Sequence, residues 1–315
     1  MRAVAHNKVA LAFGALFVAI VVLCLLAPVY ARDIAHTGPN DNHITETVNV
    51  GGKRVDVVSP IGVPIGPTWK ERFLLGADSN GRDVAVRLLY GGRNSLEIAA
   101  IATLITMVLA IVLGTLAGYM RGITDGVLSR VFDLVWAYPA VLLGVALGVA
   151  LAVGGLDLGV FTLHSGSLLL PAFVIGIVFF PYVAKPLRGH ALSLREREFV
   201  DAARIMGYPP PLGSVRIMVS EILPNLTSSI VVFVPLIVAN AILLEAGLSY
   251  LGAGVQAPNP SWGTMIADGI RLIPGAIHLV LVPGIMLMLT VLSVNVFADG
   301  VRDALDPKAI VRGRL

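Results

Sequence analysis

The sequence predicts an all-α, polytopic membrane protein with six transmembrane helices, and three observations carry that reading. Ala, Val, Ile, Leu, Met, Phe, Trp, Tyr and Cys make up 56% of the 315 residues, and only 14% are charged. Soluble domains carry roughly 25% charged residues, and the mean hydropathy here is +0.84. The apolar residues are gathered into runs of the length that crosses a bilayer, about 20 residues each. Six crossings use about 120 residues, which leaves loops but no large soluble catalytic domain. The single cysteine, Cys24, excludes an intrachain disulfide and a multi-cysteine metal site.

The runs fall near 9–30, 95–119, 131–153, 168–187, 226–248 and 277–298. Arg2 and Lys8 before the first run, with the small Ala31 behind it, have the layout of a secretory signal. The run exceeds the usual apolar region of about 7 to 15 residues, so residues 1–30 read as a short N-terminus and a retained anchor. Orientation follows from Lys and Arg in the short loops. Arg2 and Lys8, then Arg121 and Arg130, then the group from Lys185 to Arg216, then Arg302, Lys308, Arg312 and Arg314 share one side if there are six crossings. Arg271 alone occupies the opposite short connections. Both termini are therefore expected in the cytoplasm, the C-terminal tail being 301–315.

Residues 31–94 form a long segment on the outer side. There, 45–50 and 53–58 alternate apolar and polar residues around Gly51-Gly52, the pattern of a two-residue β-hairpin. His36 and His43, with Asp33 and Asp41, lack a framework that fixes ligand geometry, and read as solvated loop residues rather than metal ligands. Residues 82–93 read as a helix lying at the interface before it turns into the second span.

The core, 95–300, contains one loop too long for a connector, 188–225. Ser193 and Glu196 have capping-box spacing, which predicts a helix start. At 100° per residue Phe199, Ala202, Ala203 and Met206 fall on one side, Arg197, Asp201 and Arg204 on the other. Gly207 and the run Pro209-Pro210-Pro211 end it. Two adjacent alanines allow a close approach, either by the chain's own bundle and lipid headgroups or by a cytosolic partner. Ile222-Leu223-Pro224 closes the loop.

These residues carry a resemblance. Glu198-Phe199-Val200-Asp201-Ala202-Ala203, then Gly207, then Ile222-Leu223-Pro224, resembles the EAA loop of binding-protein-dependent ABC importer permeases, with Asp201 in the glutamate position. Leu75-Gly76-Ala77-Asp78-Ser79-Asn80-Gly81-Arg82-Asp83-Val84, continuing through Arg87 to Leu96, resembles the segment before span two in C-type dipeptide and oligopeptide permeases. Glu245-Ala246-Gly247-Leu248-Ser249-Tyr250-Leu251-Gly252, followed by Pro258 to Met265, resembles their hallmark after span five, and Asn295 with 299–307 their exit from span six. Four stretches in the right order and membrane context make a specific match. About four residues around Pro209 to Gly213 are extra relative to the usual spacing, so the carry-over is firmer for Ala202, Ala203 and Gly207 than for Leu223 and Pro224.

The resemblance implies a type I ABC importer transmembrane domain in the bacterial plasma (inner) membrane. It also implies a second permease, two ATPase subunits holding ATP and Mg, and an extracytoplasmic peptide-binding protein. No cofactor or nucleic acid is expected on this chain, which lies in membrane lipid. No GxxxxGK[ST] sequence occurs, so nucleotide phosphates have no P-loop here.

Thr106, Asn240, Ser293 and Asn295 are candidates for the translocation pathway, helix–helix hydrogen bonds being the plainer role for Thr106 and Asn240. Glu97, Asp133, Glu245 and Asp299 fall near span ends, where water or headgroups can reach them, and no ionisable residue stands at midplane, which disfavours a proton- or sodium-coupled carrier. Trp262 reads as the anchor of an outer interfacial helix, with lining of a dock for the binding protein as the alternative. Within the class, nickel or glutathione remains open as cargo beside peptides. A self-contained channel or carrier is opposed by the absent midplane charge and the long loop, and an intramembrane enzyme by the absence of HExxH, GxSxG and paired intramembrane acids.

Overall fold

A computed structural model describes residues 7–157, 162–163, 166–206 and 212–305. Helix α1, Lys8–Leu25, starts at Asn7, whose side chain accepts from the Ala10 amide at 3.1 Å. After Leu26 the chain continues as α2, Ala27–Tyr30, and a π-helical turn, Ala31–Ala35. Strands β1, Thr47–Val50, and β2, Lys53–Asp56, pair antiparallel with Val50 opposite Lys53. Gly51 and Gly52 supply the two positive φ values, 60° and 85°, that a tight hairpin turn needs.

Helix α3, Val84–Met120, is followed by α4, Gly122–Trp136, and α5, Ala140–Gly154. Two short strands, β3 Leu156–Asp157 and β4 Thr162–Leu163, precede α6, Leu169–Arg195. The remaining elements are α7, Glu198–Ile205; α8, Leu212–Ile217; a π-helical turn, Met218–Ile222; α9, Leu223–Tyr250; α10, Trp262–Ile270; and α11, His278–Leu305.

Among the described residues, five helical stretches are long and apolar enough to cross a membrane, and the pair α4–α5, bent by 92°, brings the number to six if it is one span. The straight run expected over 131–153 is thus broken. Pro139 disfavours a helical Tyr138, and its own backbone (φ −56°, ψ 128°) starts α5 in a new direction.

Three further expectations change. Residues 84–93 do not lie flat before a turn; they are the first turns of α3, which continues unbroken for 37 residues. Span four does not stop near Leu187 but runs to Arg195, so Ser193 sits within α6 and caps nothing. Ion pairs to α4 hold that extension, Lys185 Nζ to Asp133 at 2.6 Å and Arg188 Nη2 to Asp125 at 2.7 Å. Span five begins early, because α8, the π turn and α9 form one helical stretch, Leu212–Tyr250. Pro224 stands in the first turn of α9, directly behind the π turn Met218–Ile222.

The contact between α3 and α6 is the most extensive between helices. Of the apolar window of α6, 67% is buried against 17% for α1, which makes α6 central and α1 peripheral. The outer segment is tied to this bundle. Val57, Phe73 and Ala77 form its small core. Asp83 caps α3 by accepting from the Ala85 and Val86 amides at 2.8 and 3.1 Å, and also accepts from the Phe73 amide at 2.6 Å. Burial raises the Asp83 carboxyl pKa, and these three amides oppose the rise. Buried Arg87 donates to the Pro39 carbonyl at 2.9 Å and lies 3.4 Å from Asp78. His43 is occupied by Glu46 at Nδ1 and Thr37 at Nε2, both at 2.7 Å. The His43 hydrogen bond and the nearby Arg72 charge hold the Glu46 carboxyl below its usual range.

Candidate functional site

The expected docking helix exists as α7, shorter than predicted. Arg197 leaves α6 in an extended conformation (φ −89°, ψ 146°), and Glu198 and Asp201 place acidic charge in the first turn, where the helix dipole favours it. Arg204 Nη1 donates to Asp201 Oδ1 at 2.8 Å, which fixes one flank.

The apolar residues divide between two faces rather than one. Val200 and Ala203 point into the bundle, Ala203 being 7% exposed. Ala202 and Phe199 face out, and so do Ile205 at 85% and Met206 at 73% exposure. Of the adjacent alanines, Ala203 therefore lets α7 approach its own chain, and Ala202 is the one open to a partner. Such a set of large apolar side chains on an eight-residue helix is uncommon on a finished surface.

Gly207 and Pro209 to Pro211 lie outside the described residues. Glu198 and Pro224 are exposed, and Leu223 is half-buried. Leu223, Met218 and Val219 face Ile111, Val112 and Thr115 of α3 across an apolar pocket of about 190 Å³. The second half of the loop thus leans on span two.

A basic cluster beside α7 was not legible as a unit in the sequence. Buried Tyr119, near the end of α3, has the Arg195 guanidinium 5.6 Å and the Arg204 guanidinium 5.7 Å from its ring centre. Arg121 pairs with Glu196 beside them. These residues come from α3, α6 and α7 and the α3–α4 junction, so no local spacing reveals them.

The pathway candidates separate by burial. Thr106 is fully buried and donates to the Gly176 carbonyl at 3.3 Å, joining α3 to α6. Ser293 is fully buried and donates to Thr290 within α11 at 2.8 Å. Asn240 is half-buried, its amide donating to Leu236 at 2.8 Å within α9, and Asn295 is half-buried on α11. Only the two asparagines present surface outside the chain's own packing.

At the opposite end, two expectations are corrected. Glu245 is not reached by water or headgroups; it is fully buried and accepts from Ser249 at 2.6 Å. Trp262 is fully buried too, with its indole nitrogen donating to the Leu88 carbonyl at 3.1 Å, so it neither anchors α10 in lipid nor lines a dock. A capping box, Ser261 with Thr264, starts α10, and the indole fills the space that Gly92 leaves on α3.

Comparison with known proteins gives this architecture a context. Residues 110–311 match the family described as binding-protein-dependent transport system inner membrane component. The di/tripeptide transport system permease protein DppC of Pseudomonas aeruginosa is 34% identical over 308 residues, covering 96% of this chain and 89% of that protein. The dipeptide transport system permease protein DppC of Alkalihalophilus pseudofirmus is 38% identical over 243 residues, 77% of this chain and 74% of the relative. The oligopeptide transport system permease protein OppC of Escherichia coli K12 is 34% identical over 242 residues, again 77% and 74%. Among solved structures, an inward-facing form of the MetNI methionine ABC transporter aligns with a TM-score of 0.53 at 16% identity, over 70% of this chain and 96% of that one, a likeness of fold.

Proposed function

The chain belongs to the family of binding-protein-dependent transport system inner membrane components, and from that premise we propose that it is the C-type permease subunit of an ATP-driven importer of di- and oligopeptides. It is a multi-pass transmembrane permease of the peptide-transport ABC group. The finer reading adds a second permease as heterodimer partner and two ATPase subunits that carry ATP and Mg. An extracytoplasmic peptide-binding protein delivers cargo to a chain that is itself non-catalytic. It sits in the bacterial inner membrane with both termini in the cytoplasm.

The observation that supports this best is the outward face of α7. Phe199, Ala202, Ile205 and Met206 are exposed while Val200 and Ala203 hold the helix to the bundle. In this reading an ATPase subunit covers that face. Closure of the ATPases on ATP then shifts a two-state bundle, because nucleotide biases the equilibrium through contacts that differ between the states. The peptide passes between the two permeases, where Asn240 and Asn295 offer neutral amides.

The test is a mild-detergent purification of the tagged chain from its native membrane, with identification of what accompanies it. Recovery of two ATPase chains and a second six-span permease is the expected result. Recovery of this chain alone, where other membrane complexes survive the same detergent, would overturn the assignment in favour of a self-contained carrier.

A further inference from the structure

The basic cluster at the junction of α3, α6 and α7 is not used by the function proposed above. Arg121 and Arg204 each have a carboxylate partner, Glu196 and Asp201. Arg195, a half-buried residue, makes no ion pair among the described residues, and its Nη1 is buried there with no hydrogen-bond partner. The two neighbouring guanidiniums repel it, the Glu196 carboxylate that attracts it is already paired with Arg121, and the Tyr119 ring face offers only a cation–π contact. A buried, unpaired guanidinium nitrogen between two like charges is costly unless an anion completes it.

The backbone at this point is unusual as well. Arg121 adopts φ 57° and ψ −167°, a region almost confined to glycine, and such conformations persist where the surrounding structure over-determines them. It delivers the Arg121 side chain to Glu196 at the end of α6.

Depth identifies the surroundings. Helix α6 has 27 residues, about 40 Å at 1.5 Å per residue, some 10 Å more than a hydrocarbon core of about 30 Å. Arg195 is its last residue, and Tyr119 stands at the matching end of α3. With the outer end of α6 at the edge of that hydrocarbon core, the cluster stands at headgroup level, where phosphate is abundant. Arg204, on the flank next to Val200 and Ala203, is exposed, with its guanidinium 5.7 Å from the Tyr119 ring centre and paired with Asp201.

We propose that Arg195, with Arg121 and Arg204, forms a phosphate site that clips α7 to the ends of α3 and α6. Guanidinium forks match phosphate oxygens, and basic pockets between membrane helices at this level suit anionic headgroups. The ligand chemistry is a phosphate group, from a phospholipid or from solution. The inference concerns this chain alone and does not depend on which proteins accompany it.

The experiment uses the full chain in nanodiscs of phosphatidylcholine, with or without phosphatidylglycerol, and reads two quantities. These are phosphatidylglycerol retained per chain by native mass spectrometry, and the thermal unfolding midpoint with and without millimolar inorganic phosphate. Wild type is expected to retain phosphatidylglycerol or to gain stability with phosphate, and Arg195→Gln to bind roughly tenfold more weakly, the worth of one charged hydrogen bond. Arg195→Lys should recover part of the loss, since it restores charge without the fork. A response to phosphatidylglycerol alone assigns the phosphate to lipid, and a response to inorganic phosphate in phosphatidylcholine assigns it to solution. If Arg195→Gln does not fold, Arg204→Gln, on the half-exposed rim, supplies the same comparison. Retention and midpoints equal to wild type in the variant would overturn the site, and so would a variant that loses only its protein partners.

Discussion

Trp262 donates its indole hydrogen bond to the Leu88 carbonyl across 174 residues of sequence. The stretch before span two and the stretch after span five therefore belong to one packed joint. Gly92 makes it fit, since a Cβ there would come within 2.6 Å of Trp262 Cζ2 and 2.5 Å of Cys24 Sγ.

Gly92→Ala should accordingly destabilise the chain by about 1–3 kcal/mol, the usual cost of overpacking. Trp262→Phe should cost less, about 1 kcal/mol for the lost hydrogen bond plus a small cavity. Chemical denaturation in detergent ranks the two. A variant Gly92→Ala as stable as wild type would mean that the joint is looser than its geometry.

Ala202 and Ala203 separate docking from folding. Ala202→Arg should leave the chain's own melting unchanged and abolish both ATPase co-purification and uptake. Ala203→Arg, forced into the bundle, should lower stability itself by about 1–3 kcal/mol. Equal effects of the two on melting would show that the faces of α7 are not distinct.

Thr106→Val removes the α3–α6 hydrogen bond while keeping shape. It should cost about 0.6 kcal/mol, the average for such bonds in membranes, and leave cargo preference as it was. Asn240→Leu, on the half-buried side of α9, should change which peptides are taken up. Competition uptake assays with peptides of different length read this directly.

Glu46 links the outer segment to pH. Its carboxyl pKa is lowered from 4.5 in the folded chain, mainly by His43. A lowered folded pKa contributes stability above the unfolded value, and that contribution is lost as pH falls through the folded value. Glu46→Gln should therefore lower the melting temperature near neutral pH, with the difference from wild type shrinking below about pH 4.5. The side chain is 43% exposed, so the effect is small. A difference that grows on acidification would reverse the assignment.

Reporter fusions near residues 2 and 315 should both read cytoplasmic. One cytoplasmic and one periplasmic result would remove the right-angled α4–α5 pair as a single crossing.

Much of this architecture was legible because the relevant signals are local. Gly51-Gly52 between alternating strands produced the hairpin, and long apolar runs produced the spans. What the sequence hid depends on packing between distant elements. Hydropathy passed over Tyr138-Pro139 because both flanks are apolar, although proline sterics redirect the chain there. Ser193 and Glu196 have capping spacing, but ion pairs to Asp125 and Asp133 support α6 as it runs past Ser193 to Arg195. Glu245 and Trp262 looked superficial because charged and indole groups favour the interface in general, whereas here the Leu88 carbonyl satisfies the indole inside, and Glu245 is buried with one oxygen accepting from Ser249 and Oε2 without a hydrogen-bond partner among the described residues. The two faces of α7 could not be told apart, since periodicity groups apolar residues without saying which are covered by the chain itself.

The length of α3 has a mechanical meaning. Its 37 residues span about 55 Å without an internal proline, from the Asp83 cap in the outer segment to Tyr119 beneath the arginines. Sharp bends arise at proline, π-bulges and glycine or serine pairs; α3 has no proline or π turn, and its glycine pair, Gly91-Gly92, is held between Ser261, Trp262 and Cys24. It behaves as a strut: tilting the outer segment swings the opposite end through the same angle, with no joint between them to absorb the motion. Events at the two surfaces of the membrane are then two ends of one rigid body, and a signal needs no relay to travel between them.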